Sequence, residues 1–512
     1  MIVLAFVSIG MCLATFYIYV KMKYRFADKI PTIEPMVPFL GHGLQFLWNN
    51  SYQTFAMLNR IYSNHKSFRL FKLQMGLIPV LCPMHPDLIH KVITDSSCLE
   101  KPYPYKFMGV NSGLLSAKYD TWKVHRKLLN PAFNTRIVGS FISIFNDCVD
   151  EMIENIEGKA APGRALNILD FTTPCTMTMV LRTSVGSKLL KPDEIQKVTE
   201  NMVTVVGSVG FRFFNGNLHP DIVYRFTRFY QREIQSRKIC YDLIDKTITE
   251  KQQELTTAKD KQELNDNSGN SDHFVNDEKN KPQIFIEKLL MMSLPDGKPF
   301  SHKEICEHVY TLAAAGSETS ATQAAHALLY LAMHPEIQMR AVQEIKELLP
   351  TAECKITPEV VGNMVYMERI IKEAQRLAPV IPTLARQAMT DLQLDAFAIP
   401  KGTYFILNLF VLHHMKEYWG EDAEMFNPDR FLPENSENRH AFAFLPFSDG
   451  NRGCIGKRYA MTSMKIIVAE VLRNFIITTD LKYEEIEFKF KLSLHLVGPH
   501  RTFVEPRKLY GP

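Results

Sequence analysis

The chain has 512 residues, 46% hydrophobic and 22% charged, with 59 Lys and Arg against 55 Asp and Glu for a formal charge of +4. That composition is ordinary for a globular protein and excludes a mostly disordered, collagen-like or multispanning chain. A charge so near neutral offers no field to gather nucleic acid, and nine scattered cysteines without a C-x-x-C pair exclude a disulfide scaffold or zinc ribbon and fit reduced thiols in the cytosol.

Residues 1–20 carry no charge and no proline. About 20 helical residues span roughly 30 Å, so the stretch reads as a transmembrane anchor. The first charges, Lys21, Lys23 and Arg25, follow it, and bulky Tyr17, Ile18, Tyr19 and Val20 stand where a cleavable signal carries small residues. The anchor is therefore expected to stay uncleaved, and its basic end places the remaining chain in the cytosol. Residues 21–50 form a basic, proline-rich hinge through Pro31, Pro35 and Pro38, with a turn at Gly41-His42-Gly43. Residues 51–512 read as one large domain, mainly α with minor β. Ile142, Phe145, Val149, Met152 and Ile153 recur at helical spacing, and Arg69 to Leu81 is richer in strand formers. Residues 251–281, rich in Asn, Asp, Lys and Gln, read as a mobile polar loop. The helical pattern returns from Pro282 to about Leu377; short strands with turns follow, as at Ile399-Pro400-Lys401-Gly402-Thr403. No internal repeat is present.

The most informative stretch is Pro446-Phe447-Ser448-Asp449-Gly450-Asn451-Arg452-Gly453-Cys454-Ile455-Gly456. Glycines around one cysteine make a tight loop that can aim amide N–H groups at the sulfur, and those donors, with Arg452 nearby, favour the thiolate. On those grounds alone an inert cysteine in a glycine-rich turn fits as well. The full pattern F-x-x-G-x-R-x-C-x-G resembles the haem-binding loop of the cytochrome P-450 family. The resemblance implies that Cys454 is the axial metal ligand of haem b, its thiolate pushing electron density onto the iron.

Further motifs stand in register with that loop. Glu373-Ala374-Gln375-Arg376 matches E-x-x-R, whose i, i+3 spacing lets the charges pair. Phe426-Asn427-Pro428-Asp429-Arg430-Phe431 matches F-x-P-x-R-F, and the resemblance implies that Arg430 joins Glu373 and Arg376 in a buried charge network. Trp122-Lys123-Val124-His125-Arg126 matches W-x-x-x-R, and by resemblance Trp122 and Arg126 bind a haem propionate. Arg386 and Arg452 match two further propionate-binding arginines, whose forks suit carboxylates. Ala314-Ala315-Gly316-Ser317-Glu318-Thr319-Ser320 resembles the helix that crosses the oxygen face of the haem. There Gly316 and Thr319 are expected to loosen the helical ladder, and Glu318 and Thr319 to act catalytically by relaying protons.

The resemblance covers about residues 30 to 505. Arg439-His440-Ala441-Phe442-Ala443-Phe444-Leu445-Pro446-Phe447-Ser448 is similar to the family-4 clan, of insect microsomal type, known for fatty-acid ω-hydroxylases and many insect enzymes. Two departures stand out. Ala315 replaces the glutamate that esterifies the haem in many family-4 enzymes, so a non-covalent porphyrin is expected. Asn451-Arg452-Gly453 replaces the common P-R-N. The implied protein is a membrane-anchored haem-thiolate monooxygenase on the cytosolic side of the endoplasmic reticulum. It would take electrons from NADPH through NADPH–cytochrome P-450 reductase, with cytochrome b5 as a further partner, and oxidise a lipophilic small molecule such as a fatty acid, hormone or xenobiotic. A haem-thiolate isomerase or dehydratase, and a non-catalytic membrane binding protein, are the rivals; Glu318-Thr319 and the intact Cys454, Glu373, Arg376 and Arg430 weigh against them. Residues 103–117, 205–224, 379–385 and 493–498 are the candidate pocket segments, with Phe211, Phe213 and Phe214 clustered. Lys123, Lys127, Lys457, Arg458 and Lys465 are expected to form a basic patch for an acidic flavoprotein reductase.

Overall fold

The computed structural model of the protein describes residues 2–37, 39–46, 49–186, 190–266 and 282–509. The helices that matter for the site are α1 (Ile2–Lys23), α2 (Tyr119–Leu129), α3 (Ile142–Lys159), α4 (Leu169–Val185), α5 (Pro192–Phe214), α6 (Arg228–Asp266), α7 (His302–Met333), α8 (Val365–Leu377) and α9 (Lys457–Asn474). Among the described residues no helix is long and apolar enough to cross a membrane. The anchor expected over residues 1–20 falls on α1, and part of that stretch lies outside the described residues.

Helix α7 forms the axis of the domain. Ser301 caps it: its side chain accepts the Glu304 N–H, and the Glu304 carboxylate accepts the Ser301 N–H at 2.8 Å. Its middle is alanine-rich, which favours helix and keeps the surface thin, and it is buried on nearly every side. Helix α4 lies along it, with Thr176 Oγ1 donating to the Ser317 carbonyl at 3.0 Å and Thr172 Oγ1 to the Ala321 carbonyl at 3.1 Å. The apolar stripe foreseen over 142–153 is the buried face of α3, where Phe145 and Val149 have no exposure.

The minor β part includes β1 (Leu70–Met75), β2 (Ile78–Pro83), β3 (Thr383–Gln387), β4 (Tyr404–Asn408), β5 (Phe488–Phe490) and β6 (Leu494–Leu496). The first four make one sheet in the order β1-β2-β4-β3. Strand β4 runs parallel to β2 and antiparallel to β3, with Arg386 opposite Phe405. Strands β5 and β6 form a separate antiparallel pair. The turn expected near Gly402 links the strand Phe397–Ile399 to β4.

One segment differs from the sequence reading. Residues 251–266, expected to begin a polar loop, continue α6 as helix. Lys, Gln and Glu there are good helix formers, so polarity marked a solvated helix rather than a coil. The rest of that loop, residues 267–281, lies outside the described residues.

Candidate active site

The cysteine loop is shaped by its backbone. Gly450 takes φ +64, and a Cβ there would sit 3.0 Å from the Thr94 Cα, so no L side chain fits without displacing that helix end. The Gly453 N–H donates to the Gly450 carbonyl at 2.9 Å, and the Cys454 N–H to the Phe447 carbonyl at 2.9 Å. Gly456 then opens α9, and its N–H reaches the Cys454 sulfur, placing the sulfur at a helix N-terminus. Cys454 retains accessible surface although protein surrounds it.

The electrostatics differ from the sequence expectation. Burial pushes the Cys454 thiol above its usual range, and the Gly456 N–H, Arg126 and Lys457 offset only part of this. The cations bearing on the sulfur are Arg126 and Lys457, not the expected Arg452. The chain by itself therefore keeps a thiol there, and a bound metal ion is what would deprotonate it.

Four cations crowd beside the loop. Arg126, one turn along α2 from Trp122, has a buried Nε without a hydrogen-bond partner. Arg386, fully buried on β3, donates to its neighbour Ala385 at 3.0 Å and to Ser448 Oγ at 3.4 Å, and its Nε is likewise unpartnered. Arg452 donates to the carbonyls of Leu99 at 2.9 Å and Ala117 at 3.2 Å and lies 3.9 Å above the Trp122 ring. Burial, with the like charges of Arg386 and Arg126, holds Arg452 down to about 9, against the pull of Glu100. Lys101 is also held well below its usual range, by burial and then by Arg386 and Arg452. The carboxylate bearing on this group is Glu100, which accepts the backbone N–H groups of Lys101 at 2.9 Å and Tyr119 at 3.0 Å. Among the described residues none of the four cations has an ion-pair partner, and such a buried set calls for an anion.

A family model described as Cytochrome P450 matches residues 31–502. The chain belongs to the cytochrome P-450 family. "Cytochrome P450 4c21" of Blattella germanica is 28% identical over 506 residues, 98% of each chain. "Cytochrome P450 4F2" of Homo sapiens is 31% identical over 444 residues, covering 85% of this chain and 83% of that one. "Probable cytochrome P450 313a4" of Drosophila melanogaster is 28% identical over 435 residues, 82% of this chain and 83% of the relative. Relatives thus come from insects and mammals, in line with the family-4 resemblance. Cytochromes P-450 bind haem b iron through a cysteine thiolate, and this chain is a cytochrome P-450 monooxygenase. The donor set fits that group: two propionates supply the negative charge that the unpartnered guanidinium nitrogens of Arg126 and Arg386 lack.

The supporting network of this cytochrome P-450 is the one the motifs implied. Glu373 and Arg376 are wholly buried and bidentate, at 2.8 and 2.7 Å, and Arg430 Nε lies 3.3 Å from the same carboxylate.

On the opposite side, α7 brings Ala315, Gly316, Glu318 and Thr319 together. Thr319 Oγ1 donates to the Ala315 carbonyl at 2.7 Å. The expected loosening of the ladder is absent, since α7 stays α-helical throughout; the hydroxyl shares a carbonyl instead of breaking a bond. Glu318 points at the C-terminal strands, where Ser493 Oγ donates to its Oε1 at 2.5 Å and His495 Nε2 lies 2.9 Å from it. An apolar cavity next to α7 is lined by Val110, Val205, Val209, Tyr310, Thr311 and Ala314, which unites two of the candidate pocket segments. Its wall is pinned by Glu307, a buried carboxylate of α7 that accepts the N–H groups of Asn111 at 2.8 Å and Ser112 at 2.6 Å. Gly113 lies so close that a Cβ would meet Thr311 Oγ1 at 2.0 Å.

Two expectations are corrected. Of the three phenylalanines, Phe213 and Phe214 pack together with ring centroids 5.1 Å apart, Phe213 also meeting Tyr105 and Phe214 meeting Phe490, whereas Phe211 is exposed and stacks on Phe229 instead. In the basic patch, Lys123, Lys127, Lys457 and Arg458 are exposed, whereas Lys465 is buried and pairs with Glu368 at 2.8 Å. Lys101 is an addition that carries no motif of its own, and Ser493 and His495, inside the candidate segment 493–498, prove to be partners of Glu318.

Proposed function

We propose that the protein is an endoplasmic-reticulum monooxygenase, anchored by α1 with its catalytic domain in the cytosol, that inserts one atom of O2 into a lipophilic small molecule. NADPH–cytochrome P-450 reductase, with cytochrome b5 as a second donor, supplies the electrons. The observation that carries this reading is the unpaired set of Lys101, Arg126, Arg386 and Arg452 beside Cys454, built for a dianionic group with a thiolate-bound metal. In it Cys454 would ligate the iron, and Trp122, Arg126, Arg386 and Arg452 would hold the propionates. The bound haem supplies the redox and oxygen chemistry. The apolar cavity orients the substrate and excludes water, and Glu318 and Thr319 hold protons on the α7 side. The test is a reduced carbon-monoxide difference spectrum, followed by turnover of a panel of fatty acids, hormones and xenobiotics. A thiolate-type band with one hydroxylated class identifies the substrate; no thiolate-type band refutes the reading.

Thr319→Ala should leave haem and substrate binding intact and lower product per NADPH consumed several-fold, the lost electrons appearing as hydrogen peroxide. The warrant is that a hydroxyl held at the Ala315 carbonyl positions a proton at this helix face. Unchanged coupling would mean that protons run through Glu318 alone.

The porphyrin is held non-covalently in this reading, because an ester needs a carboxylate at position 315 and alanine offers none. Acid–organic extraction should free essentially all haem from the wild-type chain and leave a fraction attached to Ala315→Glu after turnover. Haem retained by the wild type would assign the link to another residue.

Exposed Lys123, Lys127, Lys457 and Arg458 form the docking face for an acidic reductase. Reversing Lys123 and Lys457 together should slow reduction and flatten its salt dependence, whereas Lys465→Glu should act on folding through Glu368. Equal reduction rates in the double variant would refute the face.

A further inference from the structure

We propose that Asp245, His302 and Cys306 form a zinc(II) site that clips α6 to α7 beside the cavity. The inference stands apart from the haem chemistry and rests on three donors that the fold brings together. His302 and Cys306 are four residues apart on α7 and so share a face. Asp245 reaches them from α6: its Oδ1 lies 2.6 Å from His302 Nε2 and 3.7 Å from Cys306 Sγ. The three donor atoms all lie within 4.8 Å of one another. Tetrahedral zinc with bonds of about 2.0–2.3 Å spaces its donors about 3.3–3.6 Å apart, so small side-chain rotations reach that geometry with the backbone fixed.

The donor chemistry selects the ion. One sulfur, one imidazole and one carboxylate suit zinc and are poor ligands for magnesium or calcium, which want oxygen alone. Cys306 is 4% exposed while the side chains of His302 and Asp245 are 41% and 57% exposed. The site therefore has a dry sulfur at its floor, a mouth open to solvent and a fourth position for water. The charges acting on the sulfur are those of Asp245 and Glu307, both acidic, which suits a divalent cation. A second trio, His85, Asp87 and His440, is less well matched. It lacks a thiol, and the His85 Nδ1 already accepts the Asp87 N–H at 3.3 Å.

Binding is an exchange without redox change. Zinc replaces the proton of the Cys306 thiol, and His302 ligates as neutral imidazole through Nε2. About one proton leaves for each ion bound near neutral pH. The structural effect follows from position: Cys306 stands one turn before Tyr310, which lines the cavity and stacks on Tyr241 of α6 at 4.6 Å. A metal here fastens the two helices on which that wall depends.

The experiment is calorimetric titration of zinc chloride into chelator-stripped, reduced holoenzyme, in two buffers of different ionisation enthalpy. One saturable site releasing about one proton is expected. Cys306→Ser and His302→Ala should each weaken it at least about tenfold; His302 is exposed, so its removal tests the site without disturbing the core. His440→Ala should leave it unchanged, and all variants should keep the wild-type carbon-monoxide spectrum. Zinc should also lower deuterium uptake over 240–250 and 300–310 in the wild type and in His440→Ala, but not in Cys306→Ser or His302→Ala. Absence of saturable binding, binding without proton release, or binding lost in His440→Ala but kept in His302→Ala and Cys306→Ser would each overturn the site.

Discussion

Cys454→Ala should give a protein with no thiolate-type carbon-monoxide band and little retained haem. No other cysteine can take its place. Cys82, Cys148, Cys240 and Cys306 are buried with thiols pushed up to about 12, and burial also holds the Cys175 thiol well above its usual range. Cys98 feels Arg386, yet burial and Asp95 keep its thiol up at about 12, and Cys354, whose thiol Thr351 draws down, has Arg473 beside it rather than the cation group. Only Cys454 combines an amide donor on sulfur, a helix N-terminus and the cation group. Cys454→Ser separates ligation from folding: it keeps the loop's hydrogen bonds and replaces a polarisable thiolate with a harder oxygen. It should retain more haem than alanine and still lack the band. A wild-type band in either variant would place the ligand on another sulfur.

Arg376→Ala should be strongly destabilising, at about 3–5 kcal/mol, because it removes the bidentate partner of a buried carboxylate and leaves that carboxylate to Arg430 at 3.3 Å. Arg376 and Glu373 have no exposed surface. The guanidinium also donates to the carbonyls of His413 at 3.0 Å, Ala423 at 2.6 Å and Met425 at 3.1 Å, so its loss orphans three acceptors as well. Against a total stability of about 5–15 kcal/mol, most of the folded population is at risk. Arg376→Lys keeps the charge but not the planar fork and should recover only part of the loss. Arg340→Ala breaks an exposed pair with Asp429 and should cost at most about 1 kcal/mol. Thermal unfolding and haem content measure all three; an Arg376→Ala protein as stable as Arg340→Ala would show that the pair does not hold this face together.

What the sequence disclosed is local in origin. The cysteine loop and the E-x-x-R turn are contiguous, and their chemistry depends on offsets fixed by backbone geometry, so Cys454, Glu373 and Arg376 were legible. The propionate side was legible only through motif resemblance, because Trp122, Arg386 and Arg452 meet from segments 66 to 330 residues apart. Lys101 was invisible for the same reason: nothing around it announces that it folds against two arginines. Lys465 misled because its charge was counted before its burial against Glu368 could be seen. Glu318 was found, but its partners Ser493 and His495 lie some 175 residues further on, in strands too short for a periodic signal. The helix over 251–266 was missed because composition reports solvation, not backbone conformation.

The grip of Glu307 on Asn111 and Ser112 has a kinetic meaning. Two charge-assisted hydrogen bonds to a buried carboxylate, at about 1.5–3 kcal/mol each, make release of that segment worth about 3–6 kcal/mol. At equilibrium the released form is then roughly one molecule in 10² to 10⁴. Ligand uptake through this wall would be gated by a rare, discrete opening, and residence time would be set more by the latch than by the ligand's fit. Bulky lipophiles would exchange slowly even when they bind weakly, because the same two amides must be surrendered on the way in and on the way out.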